Sequence, residues 1–186
     1  LKEALENGID NSEIYENVAK VYLSLGELDE LPNCYKLAIE RGAETYQNYY
    51  KFGMSLYRKL CESSSNNEND YKEVFSALEK AIELSDKSVY IYINLGVIYR
   101  MLENYDKAVE YYDKAIKLEK DNALAYFNKA DALYEKDGDK NRFLIEECLN
   151  KAIAFAPNLS KLESLDCYFA ISQDEFELEM LKRLFL

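Results

Sequence analysis

The sequence predicts an all-α solenoid built from antiparallel helix pairs, and three observations lead to this fold class. The 186-residue chain repeats itself with a period of 34: Tyr15 recurs as Tyr49, and Tyr92 recurs as Tyr126. Each period carries apolar residues at a helical spacing, and small residues stand at fixed places among them. A repeat of this length indicates stacked supersecondary units rather than one globular core.

Residues 89–122 show the unit most clearly, because they contain two apolar helical stripes. The first stripe is formed by Tyr92, Leu95, Gly96 and Tyr99. The second is formed by Ala108, Tyr112, Ala115 and Ile116. Gly96 and Ala108 are small, which allows two antiparallel helices to approach closely, and the short loop at 102–105 favours such a hairpin.

These residues also resemble a known family. The stretch is similar to the tetratricopeptide repeat, whose pattern runs from an aromatic residue through Leu-Gly and Tyr to Ala, a second aromatic residue, Ala and Pro. Lys120 stands at the Pro place of this repeat, whereas Pro157 fills it in the next one. The resemblance covers nearly the whole chain. It implies a right-handed superhelix in which the first helix of every pair lines a concave groove.

One alanine in each repeat sets the boundaries. Ala38 and Ala81 are 43 residues apart, so nine extra residues fall near the polar run 62–70. Ala115 and Ala152 are 37 apart, so three extra residues fall near 136–141. We therefore predict the end of a preceding second helix at 1–11, repeats at 12–45, 46–88, 89–122 and 123–159, and C-terminal capping helices at 160–186. Because the chain opens part-way through a helix, we expect a fragment of a longer array.

The charge of the chain limits its partners. A formal net charge of −12 opposes binding to nucleic-acid backbones and to anionic membranes, which require basic surfaces. We expect neither as a partner. The acidity either attracts basic partners or forms a solvated convex surface. The polar run 62–70 is either a tolerated loop extension or a contact and phosphorylation segment.

The cysteines predict the compartment. Four cysteines are scattered without metal-ligand or redox spacing, which favours a reducing, cytoplasmic location. They are Cys34, Cys61, Cys148 and Cys167. No apolar run is long enough to predict a membrane span.

Catalysis is not expected from this sequence. The chain contains no histidine, which removes His-based triads, imidazole bases and His metal ligands. Its glycines are isolated and form no phosphate-binding loop. We therefore predict a protein that is not an enzyme, with no catalytic residue, no cofactor and no metal site.

The resemblance implies that a peptide or a partner helix lies in the groove, against the second, fifth, ninth, twelfth and thirteenth residues of each repeat. The first repeat offers Glu13, Glu16, Lys20, Leu23 and Ser24 at these places, and the second also offers Gln47 and Arg58. The predicted site consists of Tyr50, Met54, Tyr57, Tyr90, Ile93, Asn94, Val97, Arg100, Met101, Leu124, Phe127, Asn128, Asp131 and Tyr134. Asn94 and Asn128 are included as hydrogen-bond partners for a peptide backbone, and Arg58 and Arg100 as isolated cations. The alternative is that several of these residues belong to the core.

One subclass of the family can be tested on the sequence. Chaperone-binding members clamp a C-terminal EEVD tail with Lys, Asn and Arg at fixed places. Neither alignment of those places with this chain supplies the basic pair, and of the asparagines only Asn94 fits, so we do not expect an EEVD tail as the ligand. The predicted function is a protein-interaction scaffold. Self-association through the groove or the helix 174–185, and a targeting arm for an enzyme encoded outside this sequence, remain alternatives.

Overall fold

The computed structural model describes residues 11–63, 67–85 and 87–155, and the regular structure of these ranges is helical throughout. The chain divides into two compact units, Leu1–Asn104 and Tyr105–Leu186. The all-α prediction is therefore confirmed for the described residues. The predictions for residues 1–10 and for the capping helices at 160–186 fall outside them.

The described residues of unit 1 form five α-helices that pack in chain order, each against the next. They are α1 (Ser12–Leu25), α2 (Leu31–Glu40), α3 (Tyr46–Glu62), α4 (Lys72–Leu84) and α5 (Val89–Met101). Single 3₁₀ turns, Leu28–Glu30 and Glu68–Tyr71, precede α2 and α4. The short links between consecutive helices make neighbours antiparallel.

α1 and α3 begin with the same type of side-chain cap, at positions that are 34 residues apart. The Asn11 side chain accepts a hydrogen bond from the backbone N–H of Ile14, 3.2 Å away. Thr45 Oγ1 accepts one from the backbone N–H of Asn48, also at 3.2 Å. Each side chain satisfies a donor that the first helical turn leaves without a partner. The period seen in the sequence therefore reappears in the helix starts.

Gly26 ends α1 in the left-handed conformation, with φ of 74°. A Cβ atom at this position would meet nothing within 4 Å, so a replacement acts through the backbone alone. We expect Gly26→Ala to lower the free energy of unfolding of unit 1 by about 1 kcal/mol, measured by urea denaturation. Gly26→Asn should lower the free energy of unfolding by a smaller amount, because asparagine tolerates the left-handed conformation. Equal stability of all three proteins would contradict the prediction.

The core of unit 1 joins its helix pairs through apolar and aromatic side chains. One cluster contains Ala19, Leu31, Cys34, Tyr35, Phe52 and Ala77, all buried. A second run is aromatic: Tyr71 lies 6.3 Å from Tyr57 and 6.4 Å from Phe75, and Phe75 stacks on Tyr99 at 4.7 Å between ring centroids. Tyr71 follows the polar insertion directly, so this ring anchors the chain where it re-enters the core.

Unit 2 contains α6 (Tyr105–Leu118) and α7 (Ala123–Phe155), which pack against each other. The helical course of α7 is broken at Asp137, whose φ and ψ are −173° and 87°. Asp137 Oδ1 accepts a hydrogen bond from the backbone N–H of Lys140 at 3.2 Å, as a cap for the segment that follows. The extra residues near 136–141 therefore lie at the break between two helices that share one core cluster, which includes Leu133 before the break and Ile145 after it.

The repeat alanines lie where the register expects small residues. Ala38, Ala81, Ala115 and Ala152 each have 0% of their surface exposed. Gly96 and Ala108 are also buried. None of the helices in the described ranges combines the length and the hydropathy that a membrane crossing requires.

Candidate functional site

The candidate site lies beside a hydrogen bond that joins α1 to α3. Asn48 Nδ2 donates to Glu16 Oε1 at 2.6 Å and to the backbone oxygen of Ala43 at 3.1 Å. Only 3% of Asn48 is exposed, so these bonds satisfy an amide that would otherwise be buried at a cost. The contact fixes how the first helices of the two repeats lie side by side.

A pocket of about 320 Å³ opens beside this contact. Its walls come from α1, α2, α3 and the turn before α3. They are formed by Glu16, Lys20, Leu23, Tyr35, Thr45, Gln47, Asn48 and Lys51. Four of these residues stand at the predicted groove places of their repeats: Glu16, Lys20, Leu23 and Gln47. The pocket therefore lies on the surface where the resemblance expects a ligand.

Two lysines give this pocket its charge. Lys20 Nζ donates to Asn17 Oδ1 at 3.0 Å, and Lys51 Nζ lies 5.7 Å from the centroid of the Tyr35 ring. Neither ammonium group forms an ion pair with any residue in the described ranges. Burial raises the pKa of the Tyr35 hydroxyl, and the charges of Cys34 and Glu16 raise it further. The Tyr35 side chain therefore lines the pocket in its uncharged form.

Two side-chain contacts join α3 to α5, which are the first helices of the second and third repeats. Asn94 Nδ2 donates to the Tyr50 hydroxyl at 2.8 Å, and the Tyr57 hydroxyl donates to Met101 Sδ at 2.6 Å. Burial raises the pKa of Tyr50, while the Asn94 hydrogen bond acts in the opposite direction. Tyr50 and Tyr57, like Asn94 and Met101, are seven residues apart, so the contacts lie two helical turns apart. We call the surface formed by Lys20, Leu23, Tyr50, Lys51, Tyr57, Tyr90, Asn94 and Met101 the first-helix face.

The predicted site residues differ widely in exposure. Tyr90 and Met101 are exposed, by 63% and 38%. Eight are partly exposed, namely Tyr50, Met54, Tyr57, Asn94, Val97, Arg100, Leu124 and Tyr134. Four are buried, namely Ile93, Phe127, Asn128 and Asp131. Unit 1 therefore carries most of the accessible part of the predicted site.

Asn128 of unit 2 is fully enclosed. None of its surface is exposed, and neither its amide nitrogen nor its amide oxygen has a hydrogen-bond partner in the described part of the chain. A peptide on the surface does not reach an enclosed side chain. We therefore leave Asn128, together with the buried Ile93, Phe127 and Asp131, out of the surface that we propose for binding.

Arg58 is not the isolated cation that the sequence suggested. Its guanidinium binds Asp29 at 3.1 Å and also pairs with Glu62, one turn further along α3. That prediction is wrong, because the 3₁₀ turn before α2 brings a carboxylate to α3. Arg58 joins the turn between the two helices of the first repeat to the first helix of the second repeat, and it is not available to a ligand as a free charge.

Sequence reasoning missed the residues that close the pocket, which are Tyr35, Thr45, Asn48 and Lys51. Tyr35 belongs to a second helix and Thr45 to a turn, so a search limited to first helices omits them. Asn48 did carry a signal. It occupies the register place that holds Ile14, Ile91 and Ala125 in the other repeats, and a polar residue at an apolar place indicates a specific contact.

The comparisons with known proteins agree with this geometry. Residues 89–122 match the tetratricopeptide repeat family. Anaphase-promoting complex subunit 3 from Schizosaccharomyces pombe is 29% identical over 128 residues, which cover 69% of this chain and 18% of that protein. The chain thus spans less than a fifth of this relative's length.

Two solved structures share the fold. MamA superposes with a TM-score of 0.70 at 23% identity, covering 86% of both chains. YrrB, described as a TPR protein with an unusual peptide-binding site, superposes with a TM-score of 0.67 at 21% identity, covering 86% of this chain and 76% of its own. Helix pairs with a 34-residue register define a helical-repeat protein. Within that class, the match at residues 89–122 and the shared fold are those of tetratricopeptide-repeat proteins.

Proposed function

We propose that this chain is a non-catalytic protein-interaction module that binds a peptide segment of its partner on the first-helix face of unit 1. The observation that carries the proposal is the pocket of about 320 Å³ on this face, between helices joined by specific hydrogen bonds. Exposed aromatic and methionine side chains are typical anchors of interfaces, and Tyr90 and Met101 provide them here.

The size of the pocket favours a peptide. Small-molecule sites usually enclose roughly 300–1,000 Å³, so this pocket is at the lower limit of that range. Tyr90 and Met101 lie on α5, whereas the pocket is built from α1, α2 and α3. A ligand that contacts both must extend across neighbouring first helices, which a segment of several residues does.

The composition of the chain supports the proposed class of partner and the proposed location. The acidity of the chain supports a protein partner over nucleic acid or a membrane, and the scattered cysteines support a cytoplasmic location. YrrB is described as having a peptide-binding site, which supports peptide recognition on this fold. Anaphase-promoting complex subunit 3 is part of a complex, which supports binding to a protein partner.

We expect Tyr90→Ala and Met101→Ala each to weaken partner binding about tenfold, because truncating an interface anchor removes roughly 1–2 kcal/mol. The measurement is an affinity capture from native lysate with quantitative mass spectrometry, followed by titration of the recovered partner. Both residues are exposed, so a thermal melt should show that the variants remain folded. Ile93 and Phe127 are unsuitable for this test, because their replacement would unfold the core.

The matched control is Leu84→Ala, which removes an apolar side chain from α4, outside the first-helix face, with an exposure of 45% that lies between those of Met101 and Tyr90. It should capture the same partner as the parent. If the Tyr90 and Met101 variants retain the partner, binding occurs elsewhere. If the parent recovers only itself and its sedimentation depends on concentration, the chain is a self-association module.

A further inference from the structure

Two of the helices that form the first-helix face, α3 and α5, carry almost no negative charge. The chain contains 35 acidic residues, yet α5 has none and α3 has only Glu62, which is paired with Arg58. The other charged residues of the two helices are basic, namely Lys51, Lys59 and Arg100. A ligand that crosses α3 and α5 therefore finds no free carboxylate on either helix, so these helices favour a ligand that accepts hydrogen bonds over a basic one.

Tyrosine side chains form much of the apolar surface of this face. Tyr50 and Tyr57 are half-buried on α3, and Tyr90 is 63% exposed on α5. Burial raises the pKa of Tyr50, the hydrogen bond from Asn94 lowers it, and the charge of Tyr90 raises it further. The influence of Tyr90 on Tyr50 shows that the two hydroxyl groups are near each other. Neighbouring first helices therefore bring their tyrosines close together.

The Tyr50 hydroxyl keeps a proton that it can donate to a ligand. A tyrosine hydroxyl donates one hydrogen bond and can also accept. The Tyr50 oxygen accepts the 2.8 Å bond from Asn94 Nδ2, while its own proton has no acceptor among the described residues. A ligand with exposed backbone carbonyl groups would supply that acceptor.

A proline-rich segment has the chemistry that fits these groups. Aromatic-lined grooves bind such segments, and proline has no backbone N–H, so a run of prolines offers carbonyl acceptors and few donors. The run forms a polyproline II helix that has three residues per turn and rises about 3.1 Å per residue, so one turn advances about 9 Å. Helices in side-chain contact lie about 8–10 Å apart. Successive turns of the ligand would therefore reach successive first helices.

We propose that the peptide segment bound on the first-helix face is rich in proline and crosses α3 and α5 as a polyproline II helix. Its proline rings pack against Tyr50, Tyr57 and Tyr90, and one of its carbonyl groups accepts a hydrogen bond from the Tyr50 hydroxyl. Because this helix is already formed in solution, its binding costs less conformational entropy than that of a flexible segment. This inference rests on the proposed peptide-binding function.

The probe for the test is a fluorescein-labelled decaproline peptide, which is about 31 Å long as a polyproline II helix. Its affinity for the 186-residue chain is measured by fluorescence anisotropy, beside a Gly-Ser peptide of the same length and label. We expect the Gly-Ser peptide to bind at least about tenfold more weakly. The affinity for decaproline should change less than about twofold between low and high salt, because its contacts are uncharged.

Two variants test whether decaproline binds on this face. Tyr90→Leu keeps an apolar side chain but removes the flat ring, and Tyr50→Phe removes only the hydroxyl. Each should weaken decaproline binding about three- to tenfold. The matched control is Tyr49→Phe, which removes the hydroxyl of the preceding residue, near Lys80 of α4, and should leave the affinity unchanged. A thermal melt of each variant checks that it is folded.

The outcomes separate this inference from the proposed function. The inference is wrong if decaproline binds no more tightly than the Gly-Ser peptide, or if Tyr90→Leu and Tyr50→Phe bind it as tightly as the parent. It is also wrong if the captured partner binds through a segment without proline. In these cases the proposed function stands as long as Tyr90→Ala and Met101→Ala lose the partner. If those variants retain the partner and decaproline does not bind, both are wrong.

Discussion

Replacing Tyr71 with alanine is expected to lower the free energy of unfolding of unit 1 by about 3–5 kcal/mol, measured by urea denaturation. Tyr71 is 1% exposed and packs against the rings of Tyr57 and Phe75. Alanine would leave a cavity where an aromatic ring now fills the core, and the neighbouring rings could collapse into it only in part. The effect is large because this residue anchors the chain directly after the polar insertion.

The control for this prediction is Tyr90→Ala, which removes the same side chain from a position that is 63% exposed. We expect it to change stability by no more than about 0.5 kcal/mol, as is usual for surface replacements. Tyr71→Phe should retain the ring contacts and most of the stability. Unfolding of the Tyr71→Ala protein at the parent's midpoint would show that the ring does not anchor this segment.

The second large effect is expected at Gly53, where α3 and α4 approach each other closely. A Cβ atom on Gly53 would lie 3.0 Å from Leu78 Cδ2 and 3.3 Å from Ala77 Cβ. A leucine at this position has no space without moving one helix, so Gly53→Leu should lower the free energy of unfolding by about 1–3 kcal/mol. Thermal and urea denaturation of the same preparation would measure it.

Gly53→Ala is the matched variant. It adds only the Cβ atom, whose nearest neighbour is the flexible end of Leu78, and alanine favours a helix over glycine by about 1 kcal/mol. These two effects oppose each other, so we expect stability close to that of the parent. If leucine is tolerated as well as alanine, the close approach of α3 and α4 is not a constraint.

The fold could be predicted because it depends on the spacing of residue types. The period of 34 places Ala38, Ala81, Ala115 and Ala152 in equivalent positions, and all four are fully buried. It also aligns Asn11 with Thr45, and each of them caps the helix that follows. Such features are local or repeat with the register, so one sequence is enough to find them.

The candidate site could be predicted only in part, because exposure depends on what each neighbour leaves uncovered. Tyr90 and Ile93 were both predicted for the groove, yet they are 63% and 2% exposed. The period assigns residues to a helix face but does not reveal how far a neighbouring side chain covers them. The pocket was missed for a related reason, since Tyr35 and Thr45 reach it from outside the first helices.

The Asn48 amide has a consequence for the order of the repeats. Its two acceptors, Glu16 and the backbone oxygen of Ala43, both belong to the segment that comes before it. The residues at the Glu16 place in the later repeats are Tyr50, Ile93 and Phe127, none of which offers a carboxylate. A chimera that moved residues 46–88 behind another repeat would bury this amide without its carboxylate acceptor. The units resemble interchangeable modules, but permuting them is not neutral.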